Sequence, residues 1–443
     1  MRTSHPGSRS ASWRGRRTTT ALAAAAVGAV MVTGMLVTPA SAAPDHHPDA
    51  GHSKQVIGYF TQWGIYSGFF EKNLISSGEV QHLTELDYAF SNVSPDGSCA
   101  SGDSWADFQR PFAATESVTG VADTAGLMGN FNQLKELKAA NPKLKIVMGI
   151  GGWSWSSHFS GLAETAAGRQ KFVQSCIDQY INGNLPGLAP GAAKGIFDGI
   201  SVDWEYPGAI GNNNPFGPQD TPDFTALIHE FRGELNTASD ANDQRYLLTA
   251  DVSANPTVAA NLQLRAVARD LDWFNVMTFD FHGSWEATGP TDFASNTFTD
   301  RTDPQPANNA FSVAQSVRYF ESQGVRPDKI GLAVPYYAHM WTGVAPGPNG
   351  DGLYQPATAG GGTPNYPAVI AAPGVVHFDA RTGEPFKYDA ASGTFYTFEN
   401  PQSLAVKADF IRDAGLRGTF VWSLDGDTTT AQLTSALGQA LGH

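Results

Sequence analysis

The chain has 443 residues, of which 41% are hydrophobic, and its 28 Lys and Arg stand against 42 Asp and Glu for a net charge of −14. Such an acidic surface repels nucleic-acid phosphates and anionic lipid, so neither is expected as a partner, and a neutral or cationic substrate is favoured. The length exceeds that of a usual single core but lies within the range that alpha/beta barrels reach with insertions.

In chain order, residues 1–42 read as a signal peptide. Arg2, Arg9, Arg14, Arg16 and Arg17 precede an apolar stretch from Ala21 to Val37, and Ala40-Ser41-Ala42 has the small-x-small form of a cleavage site. A secreted, extracellular protein cut near Ala42 is expected; a membrane anchor is the alternative, opposed by the interrupted apolar stretch and the cleavage site. Arg16-Arg17 hints at twin-arginine export, but the threonines that follow match that pattern poorly, which leaves the export route open. Cleavage would leave 23 basic residues against 42 acidic ones, a net charge of −19.

After a polar linker (43–54), eight apolar runs of strand length follow: "QVIGYFTQW" at 55, "LDYAFSNV" at 86, "LKIVMGIGGW" at 144, "GIFDGISVDW" at 195, "YLLTADVS" at 246, "LDWFNVMTFDF" at 271, "KIGLAVPYY" at 329 and "RGTFVWSLDG" at 417. Between them lie helical patterns such as "NFNQLKELKAA" and "TPDFTALIHEFRGELN", with apolar residues at three- and four-residue spacing. Continuous apolar strands alternating with amphipathic helices mean a parallel sheet covered by helices, and eight repeats predict a closed (β/α)8 barrel over 55–443. The interval before the last strand is unusually long. It contains "TAGGGTPNYP", an expected hairpin in "GEPFKYDAASGTFYTF" and the helix "NPQSLAVKADFIRDAG", which together predict a small α+β insertion subdomain at about 342–416. No repeat, coiled coil or separate binding module is visible. Cys99 and Cys176 are the two cysteines, and an exported protein leaves open either a bridge or two free thiols.

In a barrel of this kind the chemistry lies at the carboxyl ends of the strands. Side chains alternate along a strand, so in "DGISVDWEYPG" Ser201, Asp203 and Glu205 face the axis while Ile200, Val202 and Trp204 face the helices. Positions two apart lie roughly 7 Å apart, close enough for both carboxylates to act on one small molecule and to feel each other's charge. A structural role for the pair is the competing reading. No Lys, Arg or His lies between Phe197 and Pro222, and unpaired buried charge is costly, which favours function. Seven tryptophans sit at or beyond strand ends: Trp63, Trp153, Trp155, Trp204, Trp285, Trp341 and Trp422; Trp105 lies in the loop after the second strand. Trp204 and Trp273 are expected in the core, and the other seven of these in a cleft that stacks flat sugar faces. Gly151-Gly152 ends a strand and is read as permitting close approach of backbone or sugar. The histidines are scattered, so no metal and no cofactor is expected; His282 is read as hydrogen-bonding near the site.

These residues resemble a known family. "FDGISVDWEYP" is similar to the glycoside hydrolase family 18 signature Asp-x-x-Asp-x-Asp-x-Glu followed by Tyr-Pro; "IVMGIGGW" resembles its Ser-x-Gly-Gly strand, and "VMTFDFHGSW", with Met277, its Met-x-Tyr-Asp strand. "VPYYAHMW" and "FVWSLDGD" resemble its seventh and eighth strands, and the match runs from about Val56 to Asp427. The resemblance implies a monomeric chitinase, acting on chitin or N-acetylglucosamine oligosaccharides with Glu205 as proton donor. The N-acetyl oxygen of the substrate then serves as nucleophile, and Asp203 holds the acetamido N–H. It also implies roles around the sugar for Tyr59, Asp280 and Tyr337, a main-chain contact at Tyr206 and a ring under the distorted sugar at Trp422.

Three positions depart from the pattern. Ser201 stands for the second Asp of the signature, Gly149 for the Ser of Ser-x-Gly-Gly, and Phe279 for the Tyr of Met-x-Tyr-Asp. Ser201 and Gly149 are expected on adjacent strands as mutually compensating changes. Asp203, losing a like-charged neighbour, is expected to have a lower pKa than in relatives with the full motif. His339 stands where relatives often carry Arg. The rival readings are an endo-β-N-acetylglucosaminidase acting on protein-linked glycans, which would share Asp203 and Glu205; a non-catalytic chitin-binding lectin, which Glu205 argues against; and a barrel glycosidase with a carboxylate nucleophile.

Overall fold

The computed structural model describes residues 54–304 and 311–443. The expected signal peptide and all but the last residue of the expected linker lie outside the described residues. Eight parallel strands form the centre: β1 (Gln55–Thr61), β2 (Glu85–Val93), β3 (Lys145–Gly151), β4 (Gly199–Asp203), β5 (Leu247–Ser253), β6 (Trp273–Met277), β7 (Ile330–Pro335) and β8 (Gly418–Trp422). Each pairs with its sequence neighbours, and β1 pairs with both β2 and β8, so the sheet closes on itself. All eight expected strands are present and the (β/α)8 barrel is the fold.

Strand parity divides the packing as alternation requires. Ile200, Val202 and Trp204 join Leu248, Ala250, Phe274, Val276, Leu332 and Val421 in the large core between barrel and helices. Fully burying each Val, Leu, Ile or Phe side chain among them contributes about 1.5–3 kcal/mol. The helix Asp220–Asn242 shows how the sequence dictates its own seat: Phe224, Leu227, Ile228, Phe231 and Leu235 form one buried stripe, and Asp220 and Asp223 occupy its first turn, where the helix dipole favours negative charge. A bridge joins Cys99, in the short strand Cys99–Ser101 after β2, to Cys176 at the end of the helix Ala166–Cys176, with a Cα–Cα separation of 5.1 Å.

Between β7 and β8 stands a five-stranded antiparallel sheet, in the spatial order Ala359–Gly360, His339–Thr342, Thr394–Thr397, Glu384–Asp389, Val375–Asp379. The expected hairpin is the pairing of Glu384–Asp389 with Thr394–Thr397. The sheet begins at His339, earlier than the loop signals suggest. The helix Pro401–Asp413, grouped with the insertion on sequence, puts Leu404, Ala408 and Ile411 into the barrel's main core instead. Trp341 corrects a further expectation. It is fully buried among Phe293, Phe386 and Phe395 in the core of this second sheet, with its indole N–H donating to the Glu286 carbonyl at 2.9 Å, and does not reach the cleft.

Candidate active site

The carboxyl ends of the strands open into a cleft of about 1220 Å³. Its wall and floor include Trp63, Trp153, Trp155, Tyr206, Met277, Phe279, Trp285, Tyr337 and Trp422, with Asp203, Glu205 and Asp280 the carboxylates among its lining residues. Trp63, Trp153 and Trp285 are 44%, 51% and 57% exposed, an unusual outlay of large apolar surface unless a flat partner covers it. Trp105, 49% exposed on the turn Trp105–Gln109, is not among the lining residues, so the expectation that it belongs to the cleft is not met. Tyr59 is also absent from the lining. It is buried under Trp422, ring centroids 5.5 Å apart, and its hydroxyl points into the barrel toward Asp251.

Asp203 and Glu205 leave the end of β4 as the parity argument requires, and both are buried. The backbone that carries them is pinned on two sides. Ser156 Oγ accepts from the Glu205 N–H at 3.0 Å and donates to the Asp203 carbonyl at 3.2 Å, while the Asn214 amide donates to the Glu205 carbonyl at 3.0 Å. Gly151 has φ +106°, and a Cβ there would sit 2.2 Å from the Asp203 carbonyl oxygen, so this residue must be glycine for β3 and β4 to meet at the site. Gly152, the other glycine expected to face sugar, is buried and lies against Phe90 rather than lining the cleft.

Gly149 and Ser201 are register partners on β3 and β4. The space a side chain at 149 would need is taken by Phe90, whose ring lies 2.8 Å from an added Cβ. Phe90 stacks on Trp422 at 5.6 Å and 19°, so the missing serine side chain makes room for the ring that braces the cleft floor. The adjacency expected of the two departures holds, and at position 149 the vacated space is filled by Phe90.

Burial raises the Glu205 carboxyl to about 7; the charges of Asp251 and Asp280 push the same way, against a hydrogen bond from Tyr206. Asp203 is held well above the usual carboxylate range by burial, then by Glu205 and Asp251. The reason given for a lowered Asp203 pKa, the loss of a like-charged neighbour, is therefore removed: Asp251 supplies that neighbour from β5. Among the described residues no ion pair involves Asp203 or Glu205. Asp280, with φ +56°, is fixed by the Tyr337 hydroxyl at 2.6 Å and His339 Nε2 at 2.7 Å, and Trp285 packs edge-on against His339 at 4.9 Å. Phe279 sits between Tyr337 and Phe420. His282 lies beside the site with Nδ1 3.1 Å from Glu286. The arrangement offers an acid that retains a proton near neutrality, a second carboxyl beside it held above its ordinary range by burial, and aromatic faces around both.

Comparison with known proteins agrees with this geometry. The profile of the glycosyl hydrolases family 18 matches residues 55–427. The chain is 33% identical to chitinase 63 of Streptomyces plicatus over 94% of its own length and 64% of that protein's, and 34% identical to chitinase C of Streptomyces lividans over 84% and 57%. It thus spans about three-fifths of these relatives. The catalytic domain of a psychrophilic chitinase B from Arthrobacter TAD20 superimposes with a TM-score of 0.82 at 36% identity, covering 88% of this chain and 95% of that one. This chain belongs to glycosyl hydrolase family 18.

Proposed function

We propose that the protein is a secreted chitinase that hydrolyses β-1,4 bonds between N-acetylglucosamine units with retention of configuration, assisted by the substrate's own acetamido group. The observation that carries this reading is the placement of Glu205 and Asp203. They are buried neighbours on one strand end, without an ion-pair partner among the described residues, inside an aromatic cleft. A carboxylate nucleophile must face the acid across the scissile bond. Asp203 stands beside Glu205 on the same strand, and Asp280 is already engaged by Tyr337 and His339. A nucleophile tethered to the sugar fills the vacant role and needs no further encounter entropy.

In this mechanism the Glu205 carboxyl gives its proton to the glycosidic oxygen as the bond to C1 breaks. The acetamido carbonyl oxygen attacks C1 from the opposite face and forms an oxazolinium ion. Asp203 accepts the acetamido N–H at the carbonyl oxygen of its carboxyl group and holds the amide in line for attack; the Glu205 carboxylate then takes a proton from the water that opens the ring, which restores the acid. Trp422 supplies the floor on which the distorted sugar rests. The first 42 residues act as the export signal in this reading, and the chain works as a monomer. Proton NMR of the first products from an acetylated hexasaccharide tests the proposal: the β anomer is expected, and the α anomer would contradict it.

A further inference from the structure

Asp251 lies on β5 directly across from Asp203 in the strand register, and it is buried at 3% exposure. Its surroundings are arranged for a negative charge. The Tyr59 hydroxyl donates to Oδ1 and Ser201 Oγ donates to Oδ2 at 2.8 Å. Tyr59 is itself oriented by the Asn275 amide, 3.2 Å from its hydroxyl, and Asn275 by the Trp273 indole N–H at 3.0 Å. Asp203 presents the opposite picture, since its Oδ1 is buried without a hydrogen-bond partner. Donors that converge on one of two facing carboxyls stabilise its ionised form and leave the proton on the other.

We propose that Asp251 is the fixed anion of the site, a positioning residue clamped by Tyr59 and Ser201 whose charge keeps protons on Asp203 and Glu205. The buried acid absent from position 201 is thereby supplied from the neighbouring strand, with Ser201 as its clamp. This rests on the chitinase reading above and assigns the site's proton economy to a residue outside the motif that identifies the family.

The titratable groups facing Asp251 are Tyr59 from β1, Asp87 from β2 with Glu85 beneath it, and Asp203 and Glu205 from β4. Burial raises Asp251 to about 6, with the Tyr59, Ser201 and Asn275 hydrogen bonds opposing. Asp87 is raised to about 8 by burial and then by the Asp251 charge, so it releases its proton at higher pH than Asp251. As the pH rises, Asp251 takes its charge first, and that charge raises the pKa of each neighbour.

The test is the pH profile of kcat/KM for the full chain on an acetylated chitin oligosaccharide, wild type against Asp251→Asn. Removing the charge lets Glu205 ionise at lower pH, so the alkaline limb should move down by about one pH unit. The double variant Ser201→Asp with Asp251→Ala, which returns a buried carboxylate beneath the pair, should bring the limb back toward the wild-type position. An unmoved limb in Asp251→Asn overturns the inference. Should that variant fail to fold, Ser201→Ala weakens the clamp: a shift in the same direction of about half a unit supports the inference, and an unmoved limb overturns it. A wild-type chain that hydrolyses no acetylated oligosaccharide at any pH refutes the chitinase reading itself, whereas activity with an unmoved limb in the variants refutes only the role of Asp251.

Discussion

Two groups of buried carboxylates in this molecule make an instructive contrast. Where the inserted sheet meets the barrel, Lys407 is fully buried and reaches Glu384 at 2.9 Å, Glu399 at 2.5 Å and the Ser295 carbonyl at 2.6 Å. Burial alone would lower the Lys407 pKa, but the two carboxylates outweigh it and hold it up. At the barrel mouth Asp203 and Glu205 are buried with no lysine or arginine paired to them among the described residues. A buried charge met by its opposite is spent on holding structure together; one left facing only like charge remains protonated, and a retained proton is available for chemistry.

The largest expected effect comes from Glu205→Gln, which keeps the shape and removes the proton. It should lower kcat by roughly a thousandfold while raising the melting temperature at neutral pH, because a neutral amide has no charge to desolvate. Equal loss of stability and activity would erase the contrast. Lys407→Met probes the other group. Stranding two acids should cost about 3–5 kcal/mol in urea unfolding, with kcat of the folded fraction unchanged.

The third prediction concerns stability against pH. Glu205 and Asp107 are raised to about 7 and Asp87 to about 8 by burial, each above its ordinary value of 4.5 or 3.8. The native chain therefore holds protons that the unfolded chain has already released. Stability falls as pH climbs through this window, so the melting temperature should decline from about pH 5 to about pH 8. A flat profile would mean that these acids are ionised in the fold. The smallest effect is Phe279→Tyr. Restoring a hydroxyl beside Tyr337 should raise kcat/KM about fivefold, equivalent to one ordinary hydrogen bond.

The barrel could be read from the chain because parallel strands covered on both faces leave continuous apolar runs, and all eight were of that kind. Asp203 and Glu205 stood out by strand parity and by the absence of nearby cations. Asp251 carried the same signal, a lone acid at an inward position of "YLLTADVS", as did Glu85 and Asp87 at the start of β2. What remained hidden depended on partners distant in the chain. The pairing of Asp251 with Ser201 spans 50 residues, and Phe90 fills the space above Gly149 from another strand. Trp341 and Trp105 illustrate the limit from the other side. A tryptophan after a strand is equally suited to a sheet core, a cleft or an open turn, and only the packing of the neighbouring segments decides which.

The central claim is that the bound sugar's amide serves as nucleophile while Glu205 serves as acid. Its most direct test compares hydrolysis rates for a fully acetylated chitin hexasaccharide and the same chain stripped of its acetyl groups. The account predicts rapid cleavage of the first and no measurable cleavage of the second. Equal rates on both would contradict it.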